Sequence, residues 1–341
     1  MISLCIYFAR LTVDEERAIC ASRVEVLRRV LAEIEHTSRF QTIRSAFEEK
    51  IQRDPFDLTL EYASPTDVMT NRLQQMALFL VIAYFLEEML DVKPSCVSFY
   101  SSGVQPALVY AGCVSIGEYF EHVLPLVREN RVRIEEAGRR HSLVECLLVG
   151  KEDDEVETFV RKTIAEMEYA GRVFIKDVRG RHAVLIAGFN DEVVRVRSRV
   201  SDAFADVAAK KRQIHQTDGA HIPLYERAPF ASLLAWGGVS SPRMPMIGTS
   251  GELLSSDDSA PVVSILSDAV SSPMNTHRTL HEVQKFSSFI AIVGSELGAR
   301  VIQPPNGPRK KSPHGCEVKL AIDVLDDNLL DRRFAERGLQ V

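Results

Sequence analysis

Ser101 lies in the segment Cys96-Val-Ser-Phe-Tyr-Ser-Ser-Gly-Val-Gln-Pro-Ala-Leu-Val-Tyr-Ala-Gly112, where a β-prone run meets a Ser-Ser-Gly turn and then an Ala/Leu/Val-rich helix. A serine at a strand-to-helix turn exposes its hydroxyl and faces backbone N–H groups able to hold an oxyanion. That arrangement suits acyl transfer through a covalent ester. The strict form of the turn is Gly-x-Ser-x-Gly, and here Phe99 takes the first glycine position while Gly103 keeps the second. Ser-x-Gly before a helix also occurs in plain polar turns, so the segment alone leaves both readings open.

The elements around it follow from periodicity. Ile2 to Phe8 is β-branched and aromatic and predicts a first strand. Asp14 to Glu35 reads as a helix with Asp14 as N-cap, and Arg39 to Gln52 as a second helix. Thr70 to Leu90 predicts a helix buried on most sides, because Leu73, Met76, Ala77, Leu80 and Tyr84 recur at helical spacing. Cys96 to Tyr100 is the strand that leads to Ser101. Pro106 suits the first turn of the helix after it, where a missing N–H costs nothing, and Gly117 to Ala137 continues as helix.

Residues 143–216 read as a separate unit. Strand Leu143–Val149, helix Asp154–Tyr169, strands Val173–Asp177 and His182–Ala187, helix Asp191–Ala209 and a short strand Gln213–His215 give the order βαββαβ, a ferredoxin-like split unit. The chain then returns to the larger part. A strand at Met244–Ile247, a polar loop at Ser255–Pro261, a helix at Leu280–Ser295 and a last strand at Ala299–Ile302 are expected. The predicted organisation is α/β. Residues 1–142 and 217–303 form a large subdomain, 143–216 a small one, and 304–341, rich in Pro, Gly and Lys, a loose tail.

Composition narrows the function classes. The net charge of −6 lacks the basic field that nucleic acid requires. The longest apolar run, Met76 to Leu86, reads as a buried helix. No window is expected to reach the length of a membrane span. Met1 to Ala9 is apolar but lacks the basic lead of a signal peptide, so a cytoplasmic protein is expected. The six cysteines form no CxxC pair and read as reduced, buried thiols. His277 and His281 are a helical i,i+4 pair without a carboxylate or cysteine partner in sequence, and no metal site is expected.

Several of these segments together, and in order, resemble the malonyl-CoA:acyl-carrier-protein transacylase family, which includes the acyltransferase domains of polyketide and fatty acid synthases. Ser101-Ser102-Gly103 followed by Ala107-Leu108-Val109-Tyr110-Ala111-Gly112 is similar to the family's nucleophile turn and helix. Gln75-Met76-Ala77-Leu78 resembles its upstream Gln-Pro-Ala-Leu helix, and Ala220-His221-Ile222-Pro223-Leu224 its histidine segment. Met244-Pro245-Met246-Ile247 with Ser250-Gly251-Glu252 is similar to its next strand and turn. The resemblance runs from Ile2 to about Gln303. It implies an α/β-hydrolase-like core with an inserted ferredoxin-like βαββαβ subdomain.

The implied activity is ping-pong acyl transfer from acyl-CoA, through an ester on Ser101, to the phosphopantetheine thiol of an acyl carrier protein. His221 would be general base, oriented by a backbone carbonyl that gap-free counting places near Ala269. Backbone N–H groups of Ser102 and of the loop near Leu11 would form the oxyanion hole. No cofactor beyond the substrates is implied. A polyketide synthase is a further implied partner, and Arg227, Arg243 and Arg309-Lys310-Lys311 are candidate contacts for an acidic carrier. The chain departs from the family at Phe8-Ala9-Arg10-Leu11-Thr12, which lacks the first-loop glycines, and at Tyr100, where the family has His. Leu126 falls at the family's malonate-binding arginine, with Arg128 and Arg131 within two turns. Gln75, Leu126, Arg131 and Ala220 are thus the expected substrate-binding residues. An acyl group other than plain malonyl is expected, because Leu126 offers no fork for a carboxylate and Ala220 leaves room. A hydrolase using the same Ser-His pair, and a non-catalytic carrier-binding protein, are the alternatives.

Overall fold

A computed structural model describes residues 3–9, 16–57, 68–151, 153–204, 215–217, 219–224, 230, 232–254, 260–294 and 317–325. The chain opens with β1 (Leu4–Phe8), α1 (Glu16–Ile34), α2 (Ser38–Ile51), α3 (Val68–Leu90) and β2 (Cys96–Phe99). After one tight turn at Ser101–Gly103 come α4 (Val104–Tyr110), α5 (Ile116–Glu118), a π-turn at Tyr119–Val123 and α6 (Leu124–His141). Local chemistry fixes several of these boundaries. The Thr37 hydroxyl accepts from Phe40 N–H at the start of α2. Ser115 and Glu118 close a capping box at the start of α5.

The small subdomain follows: β3 (Leu143–Val149), α7 (Val156–Glu166), β4 (Val173–Gly180), β5 (Ala183–Phe189), α8 (Asn190–Ala203) and β6 (His215–Gln216). Its antiparallel sheet has the order β4-β5-β3-β6, with α7 and α8 packed on it. The chain then completes the large part with α9 (Ser232–Trp236), β7 (Met246–Ile247), β8 (Leu253–Leu254), α10 (Ala260–Ser271), α11 (Thr276–Phe286), β9 (Phe289–Val293) and β10 (Glu317–Leu320). The six-stranded sheet runs β10-β9-β1-β2-β7-β8, and only β8 is antiparallel to its neighbour.

This sheet is covered on both faces, as parallel strands require. In β1, Leu4, Ile6 and Phe8 enter the main core beneath α2, α3 and α4. Cys5, Tyr7 and Ala9 alternate into a second core with Leu280 and Val283 of α11. Cys5, Cys96, Cys113 and Cys146 are buried and form no disulfide.

Three expectations change. The run Leu280–Ser295 is not one helix. α11 stops at Phe286, and Phe289–Val293 forms β9 against β1. The break is chemical, since the Ser287 hydroxyl turns to bond the Ser3 carbonyl at 2.7 Å and the chain becomes extended. Secondly, Glu317–Leu320, within the stretch read as a loose tail, is a strand of the central sheet. Thirdly, Met69–Leu90, with mean hydropathy 1.4, is long and apolar enough to cross a membrane. Two-thirds of its most apolar window is buried within the fold, against α2 and α4 among others, so it is a core helix. The expected strand at Ala299–Ile302 lies outside the described residues.

Candidate active site

Ser101 and His221 meet although 120 positions separate them: Ser101 Oγ lies 2.8 Å from His221 Nε2. β2 delivers the serine. Its register places Phe99 opposite Phe8 of β1, and Tyr100 N–H donates to the Phe8 carbonyl at 2.9 Å. The chain then turns sharply and Gly103 N–H closes on the Tyr100 carbonyl at 3.0 Å. The turn is tight because Gly103 passes close over β1. A Cβ there would lie 2.4 Å from the Phe8 carbonyl oxygen and 2.6 Å from that of Ala9. Phe99 needs no glycine, since its side chain enters the main core and is fully buried.

Backbone strain marks the pair. Six non-glycine residues have positive φ among the described residues. Gln52, Asp91, Ser142 and Glu168 follow the ends of helices, where left-handed residues are ordinary. The other two are Ser101 at φ 52° and His221 at φ 62°. Such strain persists only where the surroundings impose it, and it gathers at functional sites.

The histidine ring is held at its other nitrogen by the Ser272 carbonyl, 3.1 Å from Nδ1. A carbonyl only accepts, so Nδ1 carries the proton and Nε2 presents its lone pair to the serine hydroxyl. The orienting carbonyl therefore belongs to Ser272, three residues beyond the expected Ala269. Ala269 is fully buried inside α10, where helical bonding engages the backbone, whereas Ser272 lies just past the helix end. The ring itself is buried, and the loop that bears it is tied to α6 by Gly219 N–H donating to the Ile134 carbonyl at 3.0 Å.

A buried polar cluster surrounds the turn. Tyr100, beside Ser101, donates its hydroxyl to Asp177 Oδ2 at 3.2 Å. Arg179 Nε donates to the same oxygen at 3.0 Å. Burial pulls the Arg179 pKa down, but Tyr100 and Asp177 beside it outweigh burial and hold it up. Burial, then Tyr100 and Asp177, raise the Tyr7 phenol well above its usual range. Further along, Tyr119 donates to Gln105 Oε1 at 2.6 Å, four residues after Ser101.

The remaining expected residues divide. Gln75 is buried on α3. One turn earlier Asn71 is fully buried and neither atom of its amide is hydrogen-bonded. Leu126 is half-buried against the main core. Arg131 is half-buried and pairs through Nε with Glu135 at 2.5 Å. A π-turn at Tyr119–Val123 runs into α6, which has one buried face. That face carries Val127, Asn130, Ile134 and Ala137, and Asn130 is its polar member. Ala220 is half-buried beside His221 and Ser102 half-buried beside Ser101. Arg243, exposed, bonds the Tyr110 carbonyl and Glu87. Leu11, Arg227 and Arg309-Lys310-Lys311 lie outside the described residues. Among the described residues no group of three or more His, Cys, Asp or Glu is placed to hold a metal.

Comparison with solved structures identifies the fold. The fold is that of the malonyl-CoA:acyl-carrier-protein transacylases. The chain is similar to the enzyme of Xanthomonas oryzae, with TM-score 0.67 and 17% identity over 97% of this chain and 98% of that one. It is similar to the enzyme of Coxiella burnetii, with TM-score 0.65 and 16% identity over 97% and 96% of the two chains. It is similar also to a malonyl-transacylase solved in complex with a type II polyketide synthase acyl-carrier protein, with TM-score 0.64 and 14% identity over 96% and 99%. No protein-family profile matches the sequence, and no curated protein matches it. Asp177, Ser272, Asn130 and Asn71 had no sequence signal of their own.

Proposed function

We propose that the chain is a divergent acyltransferase of the transacylase family, moving an acyl group from acyl-CoA to the phosphopantetheine thiol of an acyl carrier protein. The observation that carries this reading is the 2.8 Å contact between Ser101 Oγ and His221 Nε2, on a left-handed elbow, in a fold shared with the transacylases. His221 Nε2 takes the hydroxyl proton as Ser101 Oγ bonds the thioester carbonyl carbon. The C–S bond breaks, the CoA thiolate takes the proton from His221, and an acyl-serine remains. The carrier thiol then gives its proton to His221, attacks the ester carbonyl, and Ser101 leaves with that proton restored. The Ser102 N–H is the described candidate for the oxyanion, with Leu11 as its proposed partner. The chemistry calls for no cofactor beyond the pantetheine arms of the substrates.

The strand order β4-β5-β3-β6 supports a ferredoxin-like insert at 143–216, set in an α/β-hydrolase-like core. The acyl group we propose is uncharged. Leu126 packs into the core, Arg131 is engaged by Glu135, and the buried polar side chains of α6 and α3 include the amides Asn130, Gln75 and Asn71. None of these amides is a guanidinium, the planar fork that binds a carboxylate through two parallel hydrogen bonds. Synthase-linked, cytoplasmic action on a type II carrier protein fits this reading.

Intact-mass measurement tests it. Purified protein is incubated with malonyl-CoA, acetyl-CoA and longer neutral acyl-CoAs, then with a phosphopantetheinylated carrier protein. The expected result is a neutral acyl adduct that Ser101→Ala abolishes and the carrier protein removes. Exclusive malonyl loading overturns the proposed acyl class. Release of free acid without carrier identifies a hydrolase. No adduct with any donor identifies a non-catalytic protein.

A further inference from the structure

Asp177 stands on β4 of the small subdomain, yet its carboxylate is spent entirely on the large one and on its own strand neighbour. It is fully buried. Oδ1 accepts from Thr276 N–H at 3.2 Å and from the Thr276 hydroxyl at 2.9 Å. Oδ2 accepts from Tyr100 at 3.2 Å and from Arg179 at 3.0 Å. Two oxygens thus take four donors, the number of lone-pair sites a carboxylate has. A shift in the strand register between Ile175 and Asp177 breaks the two-residue alternation at this place and re-aims the side chain.

The donors are the informative part. Tyr100 is the residue before Ser101, so its hydroxyl fixes the start of the elbow. Thr276 begins α11, four residues after Ser272, whose carbonyl holds the His221 ring. The intervening Met274 is pinned to the same strand: its N–H donates to the Lys176 carbonyl at 2.9 Å, and its carbonyl accepts from Val178 N–H at 3.1 Å. The path from Asp177 to the serine is therefore one side chain and one peptide. The path to the histidine is a short, doubly bonded segment.

We propose that Asp177 is a positioning residue for both halves of the dyad, with Tyr100 as its link to Ser101 and the 272–276 segment as its link to His221. On this view the inserted subdomain is a buttress of the catalytic pair rather than only a wall of the cleft. Neither strained residue holds its left-handed conformation unaided, and the carboxylate anchors the backbone on either side. The charge of Arg179 is part of the device, because a buried carboxylate needs a compensating cation. The inference rests on the proposed Ser101–His221 chemistry, but its test needs no acyl donor.

The test is the rate of sulfonylation of Ser101 by phenylmethanesulfonyl fluoride, located by peptide mass, in the full chain and in Asp177→Asn, Tyr100→Phe and Val160→Ala. Val160 lies in the core of the small subdomain, away from the carboxylate, and controls for lost stability. Asp177→Asn is expected to label about tenfold or more slowly, as misplacement on the order of an ångström does to aligned groups. Tyr100→Phe is expected to slow labelling less, with half-saturating reagent concentration unchanged in both. Val160→Ala is expected to lower thermal stability and leave the rate unchanged. Equal rates in wild type, Asp177→Asn and Tyr100→Phe overturn the inference, as does equal slowing by Val160→Ala. If Asp177→Asn does not fold, an unslowed Tyr100→Phe overturns it alone. If the wild-type serine is not labelled at all, it is the reading of the dyad that fails.

Discussion

Replacing Ser101 by glycine is expected to give a more stable protein than replacing it by alanine, the reverse of the usual order. Both variants lose the hydrogen bond to His221, about 1 kcal/mol, so that loss cancels in the comparison. What differs is the backbone. At φ 52° a residue with a Cβ sits in the left-handed region, which costs roughly 1–2 kcal/mol for an L-residue. Glycine escapes that cost but loses more freedom on folding, roughly 0.5–1 kcal/mol relative to alanine in ordinary conformations. The balance favours Ser101→Gly by about 1 kcal/mol, or about 1–2 °C in Tm for a chain of this length. Differential scanning calorimetry of the two variants reads it. The same pair at Ser102, whose φ is not positive, supplies the control and is expected to show alanine ahead. If alanine equals or exceeds glycine at 101, the elbow is not strained and the argument that links strain to function here is wrong.

Gly103→Ala is expected to lower stability by about 3 kcal/mol, because the new Cβ meets two β1 carbonyls in a fully buried sheet; a Tm loss below about 1 °C would show that β1 yields. Asn71→Leu is expected to raise stability, since a buried amide without partners costs about 1–3 kcal/mol, and to alter acyl preference in the loading assay. Cys113, its thiol pushed by burial up to about 12, is expected to resist iodoacetamide at pH 8.5 until the protein unfolds. The sign for stability follows. The unfolded thiol ionises from about pH 8.5 while the folded one stays protonated. Its contribution is present below that pH and is lost as pH rises toward 12. Urea midpoints for wild type and Cys113→Ala, measured across pH 8–10.5, are therefore expected to converge as pH rises.

Much of the architecture was legible because two periods of the sequence are clean. Leu143–Val149 appears with its predicted ends, and the order of the small subdomain follows from strand-length runs separated by amphipathic helices. The failures share a cause, which is that partners distant in sequence decide the outcome. Phe289–Val293 is a strand only because β1 offers it an edge, so its apolar run continues the pattern of α11 when read alone. Gln213–His215 was expected as a strand, and its one described residue, His215, opens β6 (His215–Gln216), which is set by two pairings to β3. The meeting of Ser101 with His221 was legible through the resemblance and the order of their segments. Its supports were not, because the carbonyl of Ser272 has no sequence identity, and an aspartate on a β-prone run looks like any solvated charge until a register shift turns it inward.

The two glycines of a strict nucleophile turn have separate physical duties, and this chain separates them. The position before the serine by two sits on β2, whose side chains alternate between the two cores; Phe99 points into the larger one and never meets the turn. A glycine there relieves crowding only when the elbow leans that way. The position after the serine by two lies over the ends of Phe8 and Ala9, where no side chain fits. Steric necessity thus attaches to Gly103 and not to residue 99. The left-handed backbone at Ser101 follows from the same requirement, since the chain must leave β2, clear the β1 carbonyls and enter α4 within four residues. A sequence pattern that demands both glycines misses a chain in which the close contact is met and the crowding never arises.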